Sequence, residues 1–341
     1  MSDKVQILLL HKKKIIQLQK FLKKYWNEKH IFVKNKKFLI WQHQNQNLIT
    51  HAAAFYKSKI VGIQGYISQS HYDSKINKNQ IFLTIFRVIE NVLPGLGLNI
   101  FKFIEKKTSA EFIGTLGFTP KLKNYHEWLG YKVGYLNHHI AVSKNTKKFK
   151  ILINKNKKFF IKKKNDKYCH FLIDKNFLLK NKLTHLFKFQ YPEKTSVFLI
   201  NRYLKHPIFK YKIYLIKKLN KPRAILVVRD VFFKNSKATK IIDFIGKEKE
   251  FSNIGNVVND LLCEKNNEFV DIYSFGINLK YIKSAGFINR YKTKGLIAPE
   301  YFAPFIRKNI DLLYGYKCKK KYIKKVRLFR GDGDRDRPNF I

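Results

Sequence analysis

Short apolar runs of period two alternate with stretches of helical spacing along this chain, and together they predict a mixed α/β protein. The segments "HAAAFYK" (51–57) and "KIVGIQGYISQ" (59–69) meet at Ser58 and read as an antiparallel hairpin. A polar loop, "SHYDSKINKN" (70–79), leads to a third strand, "QIFLTIFRV" (80–88). Beyond "PGLG" (94–97), Leu98, Ile100, Phe101 and Ile104 recur at the spacing of a core-facing helical stripe, with Lys102, Lys106 and Lys107 elsewhere. "SAEFIGTLGF" (109–118) predicts a strand. "TPKLKNYHEWLGY" (119–131) predicts a helix with Thr119 as N-cap, Pro120 at its first position and its end near Gly130. "YKVGYLNHHIAVS" (131–143) predicts a single closing strand.

Residues 144–167 are dense in Lys and Asn, with alternating apolar positions that predict extended connecting segments rather than a free linker. A similar rhythm then returns. Segments 211–218 and 222–233 predict a hairpin, 237–246 a strand, 255–264 a helix, 268–276 a strand, 278–286 a helix and 287–295 a strand. The repeated order points to an internal duplication with little residue identity. The expected division is a first unit (1–145), a connecting region (146–167), a second unit (168–325) and a charged C-terminal tail (326–341).

Composition narrows the class. Apolar residues make up 45% and aromatics 15% of 341 residues, enough for well-filled interiors. No apolar run approaches the roughly 20 residues that a membrane span needs. The start, "MSDKVQILLLHKKK", has a short apolar stretch and an early Asp3, a poor signal peptide, so a cytoplasmic location is expected. Cys169, Cys263 and Cys318 are odd in number, widely spaced and away from paired histidines, which fits neither a disulfide frame nor a zinc site. His138 and His139 would point to opposite faces of a strand, and no metal is expected.

Charge is the strongest compositional signal, with 70 Lys+Arg against 23 Asp+Glu and a net +47. The basic residues are mostly Lys and are spread through nearly every segment, which disfavours a specific nucleic-acid reader. Such a surface would still attract polyphosphate ligands, an acidic carrier protein or the inner face of a membrane. Asp332, Asp334 and Asp336 alternate in "GDGDRDRPN" (331–339) but lack the downstream Glu of a calcium loop. Interleaved with Arg327, Arg330, Arg335 and Arg337, they predict local ion pairs in a solvated tail.

Gly95-Leu96-Gly97 sits between a strand and a helix. Glycines there allow a tight turn. They also let backbone N–H groups approach a phosphate at a helix N-terminus, where the dipole favours negative charge. On the second reading the N–H groups of Gly95, Leu96, Gly97 and Leu98 hold a diphosphate.

The element order and the stretch Val92-Leu93-Pro94-Gly95-Leu96-Gly97 resemble the GNAT superfamily of acyl-CoA N-acyltransferases, whose phosphate loop has the form R/Q-x-x-G-x-G/A. Val92 departs from that form. "YHEWLGY" (125–131) resembles the family's helix ending in leucine-glycine-aromatic, and "YIKSAGF" (281–287) resembles the same junction without a G-x-G. The resemblance implies two tandem GNAT-like units, each a mostly antiparallel mixed sheet flanked by helices. The first would bind acetyl-CoA or another acyl-CoA; the second would be a degenerate copy. More narrowly, "IWQHQN" (40–45) and the tail resemble tandem GNAT-like proteins of bacterial polysaccharide biosynthesis. That implies N-acylation of a nucleotide- or lipid-linked amino sugar.

Site residues follow from the resemblance. His126, or Tyr125 beside it, would protonate the leaving thiolate. The acyl thioester would enter between splayed strands about Phe86, Arg87 and Val88 on one side and Gly114 on the other. Glu90, His71 and Asp73 are candidate bases, and Trp41, His71 and Asp73 are candidate acceptor contacts. Two alternatives remain: a lapsed module that binds nucleic acid or an anionic membrane surface, and a transferase acting on a peptide amine.

Overall fold

The computed structural model describes residues 4–77, 79–160 and 165–339. Asp3, Lys78, part of the connecting region and the last two positions lie outside them. Two large mixed sheets carry the chain. Leaving aside five two-residue strands, their strands are β1 (Gln6–His11), β2 (Leu48–Tyr56), β3 (Lys59–Ser68), β4 (Gln80–Val88), β5 (Phe112–Leu116), β6 (Lys132–Tyr135) and β7 (Asn137–Val142). After these come β8 (Tyr168–Leu172), β9 (Lys212–Lys218), β10 (Lys221–Phe233), β11 (Ser236–Gly246), β12 (Asn267–Phe275), β13 (Ile288–Asn289), β14 (Leu313–Cys318) and β15 (Leu328–Phe329).

The expected hairpins form. In β2–β3, Tyr56 faces Lys59 across a two-residue turn in which Lys57 and Ser58 both take positive φ, the geometry that matches strand twist. The alternation of β2 splits its alanines. Ala52 and Ala54 pack with Ile100 and Ile104 of helix α3 (Leu96–Thr108). Ala53 packs on the other face with Leu18 and Phe21 of α1 (Ile15–Tyr25) and Phe38 of α2 (Lys36–His43). In α3 the buried stripe is Leu96, Ile100, Phe101 and Ile104, so Leu98 falls outside the fully buried face expected for it. The helix predicted after Thr119 starts as a 3₁₀ turn (Pro120–Leu122) and continues as α4 (Lys123–Trp128), with no side-chain cap from Thr119.

The first sheet runs β1-β2-β3-β4-β5-β14-β6, and the second runs β8-β9-β10-β11-β12-β7-β13. Each half therefore gives a strand to the other. β14 lies antiparallel between β5 and β6, with Tyr316 opposite Gly114 on one side and Lys132 on the other. β7 lies between β12 and β13, with Ile140 opposite Asp271 and Ile288. The single strand expected over 131–143 is broken at Leu136, because its two parts join different sheets. The strand expected over 287–295 is reduced to β13, followed by a 3₁₀ turn (Arg290–Lys292).

Each sheet also contains a parallel pair that parts company. β4 and β5 pair from Gln80/Phe112 to Leu83/Thr115, yet β4 continues to Val88. β11 and β12 pair as far as Ile241/Ile272. There the second wedge is filled from within. β15 pairs with Ser274 and Phe275 of β12, and the Gly331 N–H donates to the Ile242 carbonyl of β11 at 2.9 Å. A Cβ on Gly331 would collide with the Tyr203 hydroxyl.

The tail is thus buried, not solvated. Arg327, Arg330, Asp332, Asp334 and Asp336 are all buried. Their partners come mostly from distant segments. Arg330 pairs with Asp271 at 3.1 Å and Glu300 at 2.8 Å. Lys194 joins Asp332 (2.9 Å) and Asp243 (2.7 Å), and Arg229 meets Asp336 at 2.6 Å. Arg337 and Asp334 form the local pair. Asp271 also takes Lys240 at 2.8 Å and His138 at 2.9 Å. Burial alone would raise the Asp271 carboxyl, but Arg330, Lys240 and His138 overcome it and hold the group below the usual carboxylate range. No helix among the described residues is long and apolar enough to cross a membrane.

Removing one member of a buried ionic cluster strands its partners. Asp271→Asn is expected to lower the unfolding free energy by about 3–5 kcal/mol, read from urea denaturation. A loss below about 1 kcal/mol would show that the cluster is not holding the second sheet and the tail together.

Candidate active site

Where β4 and β5 separate, β4 keeps its pairing to β3 through Phe86, Arg87 and Val88, while its other edge is free of β5 beyond Leu83. A cavity of about 50 Å³ opens in this wedge. Leu83, Thr84 and Phe86 of β4 and Thr115 of β5 line it. Gly97 and Phe101 of α3 and Tyr125 and His126 of α4 complete the wall, along with Gln64, Phe118 and Leu122. The Gln64 amide donates to the carbonyls of Gly65 (2.9 Å) and Thr84 (3.1 Å), which ties down the kinked part of β3 against β4.

Two polar atoms of this lining, the Tyr125 hydroxyl and Nδ1 of His126, are buried without a partner in the protein; the Thr84 hydroxyl, also unpartnered, turns to the other face of the sheet, toward Gly65 and the His51 ring. Buried polar groups are usually satisfied, so these two leave the wedge with hydrogen-bonding capacity for another molecule. His126 is packed by Phe118 at 4.5 Å and Tyr131 at 5.1 Å between ring centroids. Burial depresses its imidazolium to about 4, so the ring is neutral at pH 7. Burial raises the Tyr125 phenol above its ordinary value of 10.0, so that hydroxyl keeps its proton.

Each glycine of the G-x-G has its own geometric need. Gly95 caps α3 with φ 72° and faces open space, where an added Cβ would meet nothing within 4 Å. Gly97 lets Phe86 approach, since a Cβ there would lie 2.8 Å from the ring. Of the four N–H groups expected to face a diphosphate, that of Leu96 is already used, donating to the Leu93 carbonyl at 3.2 Å. Gly95, Gly97 and Leu98 remain as donors at the positive end of a 13-residue helix.

The other expected residues lie elsewhere. Arg87, Val88 and Glu90 are outside the cavity lining, and Glu90 is exposed on the turn after β4. Gly114 faces the Phe82 ring instead of the cavity. Trp41, His71 and Asp73 lie outside this lining, and Trp41 and Asp73 meet residues of the second unit. His71 Nε2 lies 2.8 Å from the Trp41 carbonyl, and the Trp41 ring packs against His206 at 4.6 Å. Asp73 accepts from the Thr195 hydroxyl at 2.5 Å and the Lys75 N–H at 3.0 Å, so its carboxylate fastens a loop. His138 stacks on Tyr273 at 3.9 Å, and Nε2 of His139 lies 3.3 Å from the Asn289 amide nitrogen. Thr84 and Gln64 also line the cavity and belong to no motif of the sequence. Their signal was a polar residue inside an otherwise apolar strand.

By sequence, no family profile and no curated protein matches the chain. By structure, it is similar to a GCN5-related N-acetyltransferase from Anabaena variabilis, with TM-score 0.51 and 9% identity, covering 91% of this chain and 72% of that one. A conserved Enterococcus faecalis protein of unknown function, named a probable N-acyltransferase, gives TM-score 0.51 at 7% identity with the same coverages. The chain has the fold of these proteins.

The depressed imidazole gives a direct check. The His126 ring resonances should titrate with a midpoint near pH 4 and stay flat from about pH 6 to 8. Because the unfolded chain binds that proton from about pH 6.5, His126 withdraws stability as pH falls from 6.5 toward 4, by roughly 1–2 kcal/mol at pH 5. A midpoint near 6.5 would mean that the wedge is wet.

Proposed function

We propose that this chain transfers an acyl group from an acyl-CoA thioester to an amine, with the wedge between β4 and β5 as donor site. The observation that carries this reading is the coincidence of the parted strands, the open first turn of α3 and the two unpartnered polar atoms of Tyr125 and His126. The diphosphate would rest on the N–H groups of Gly95, Gly97 and Leu98, and the thioester would lie in the wedge beside Phe86. The amine nitrogen attacks the thioester carbonyl, the C–S bond breaks, and the products are an amide and a free thiol. Tyr125 is assigned the proton donor to the thiolate, because its phenol stays protonated across the physiological range while the His126 ring is neutral there. The acceptor amine would arrive unprotonated or lose its proton to solvent, since exposed Glu90 lies outside the lining.

For the acceptor we propose an amino sugar of a surface glycan, presented on a nucleotide or a lipid. What supports it is the likeness of "IWQHQN" (40–45) and "GDGDRDRPN" (331–339) to segments of polysaccharide-biosynthesis proteins.

Two variants separate binding from chemistry. Gly95→Glu places a carboxylate in open space at the helix start, and calorimetric titration with acetyl-CoA should show affinity reduced at least about tenfold. Tyr125→Phe should leave acetyl-CoA affinity nearly unchanged and lower kcat about 100-fold or more on an amino-sugar acceptor. Acetyl-CoA binding that ignores Gly95→Glu would return the glycines to a plain turn.

A further inference from the structure

A second cavity, of about 810 Å³, shares no lining residue with the wedge. That is within the usual range of small-molecule sites, about 300–1,000 Å³. Its walls come from the short helices Lys175–Lys180, Thr184–Phe187 and Ser196–Leu199 on one side. On the other stands Tyr191, stacked on Tyr322 at 4.1 Å between centroids. Its floor is apolar, with Leu178 and Leu183 buried and Phe187 and Val197 partly so, and Leu179 forms an exposed lip.

Two polar features go beyond what packing requires. Gln190 is only 4% exposed, yet neither its amide oxygen nor its nitrogen has a partner in the protein. A buried, unsatisfied amide is costly, by about 1–3 kcal/mol, and is expected where a ligand completes its hydrogen bonds. Four exposed lysines, Lys75, Lys182, Lys188 and Lys325, stand around the cavity, and none pairs with a carboxylate among the described residues. The lining contains two acids. Asp73 is held by Thr195 and the Lys75 N–H, which leaves Glu193 against four ammonium groups.

We propose that this cavity binds a single anionic amphiphile: an alkyl or isoprenoid chain bearing a phosphate or carboxylate head. The chain lies on Leu178, Leu183, Phe187 and Val197, the head sits among the lysines, and the Gln190 amide bonds the polar junction between them. Free inorganic phosphate would leave the apolar floor wet, and a neutral lipid would leave the lysines unmatched. The site does not depend on the acyl-transfer reading.

The experiment is calorimetric titration of the full chain with dodecyl phosphate below its micelle concentration, beside dodecyl maltoside and inorganic phosphate, at physiological salt. One saturable site is expected for dodecyl phosphate, with both comparison compounds at least about tenfold weaker. Lys182→Glu combined with Lys188→Glu should weaken it about tenfold or more, as should Leu179→Glu. All three positions are exposed, so folding is preserved, and acetyl-CoA titration of the same variants should be unchanged. Gln190→Leu should weaken dodecyl phosphate severalfold. Affinity untouched by the charge and Leu179 variants would overturn the site. So would equal affinity for inorganic phosphate, or binding seen only with anionic vesicles, which would assign the attraction to the general +47 surface.

Discussion

The reciprocal exchange of β7 and β14 is the constraint on which the rest of the molecule depends. A strand inserted between two others is hydrogen-bonded along both edges, so neither half can complete its sheet alone. The first sheet needs β14 to join β5 to β6, and α4, with Tyr125 and His126, lies between those two strands in the chain. The position of these side chains against the wedge thus rests on a strand encoded nearly two hundred residues later. The two halves form one architectural unit.

Within that frame the two wedges have different fates. The one between β4 and β5 is lined by unpartnered polar atoms and remains a cavity, whereas the one between β11 and β12 is occupied by β15 and Gly331. Filling a wedge with the chain's own backbone satisfies its edge groups but brings charged neighbours indoors. The buried pairs of Arg330, Asp332 and Asp336 are the physical answer, because each charge is matched by opposite groups on strands of the second sheet or beside them. The same tail reaches back to the first unit, where Arg335 lies 2.8 Å from the space a Cβ on Gly117 would take.

Element type and order were largely legible, since periods of two and 3.6 report which side of an element faces a core. They do not report which strand lies next door. For that reason the break at Leu136 and the insertion of β14 were invisible: both strands alternate like any half-buried strand. The tail misled for a related reason. Its acids and bases are near one another in sequence, so local pairing looked sufficient, but Asp271, Lys194 and Arg229, which complete the pairs, are at least about sixty residues away. At the candidate site, Gly97, Tyr125, His126 and Phe86 were legible from a strand–glycine–helix pattern and a helix-end motif. Thr84 and Gln64 were not, because a lone polar residue in an apolar strand is ordinarily a solvent-facing position.

Strand exchange also sets an order in time. During synthesis the first 142 residues emerge with β5 and β6 made but the strand that separates them still about 170 residues from being translated. Until then, the edges that β14 will cover are exposed, and direct pairing of β5 with β6 would be a competing, premature closure. Contacts of such long sequence separation are slow to form and leave edges open to aggregation. The wedge between β4 and β5 would therefore take its final form as a late event, with the arrival of nearly the whole chain.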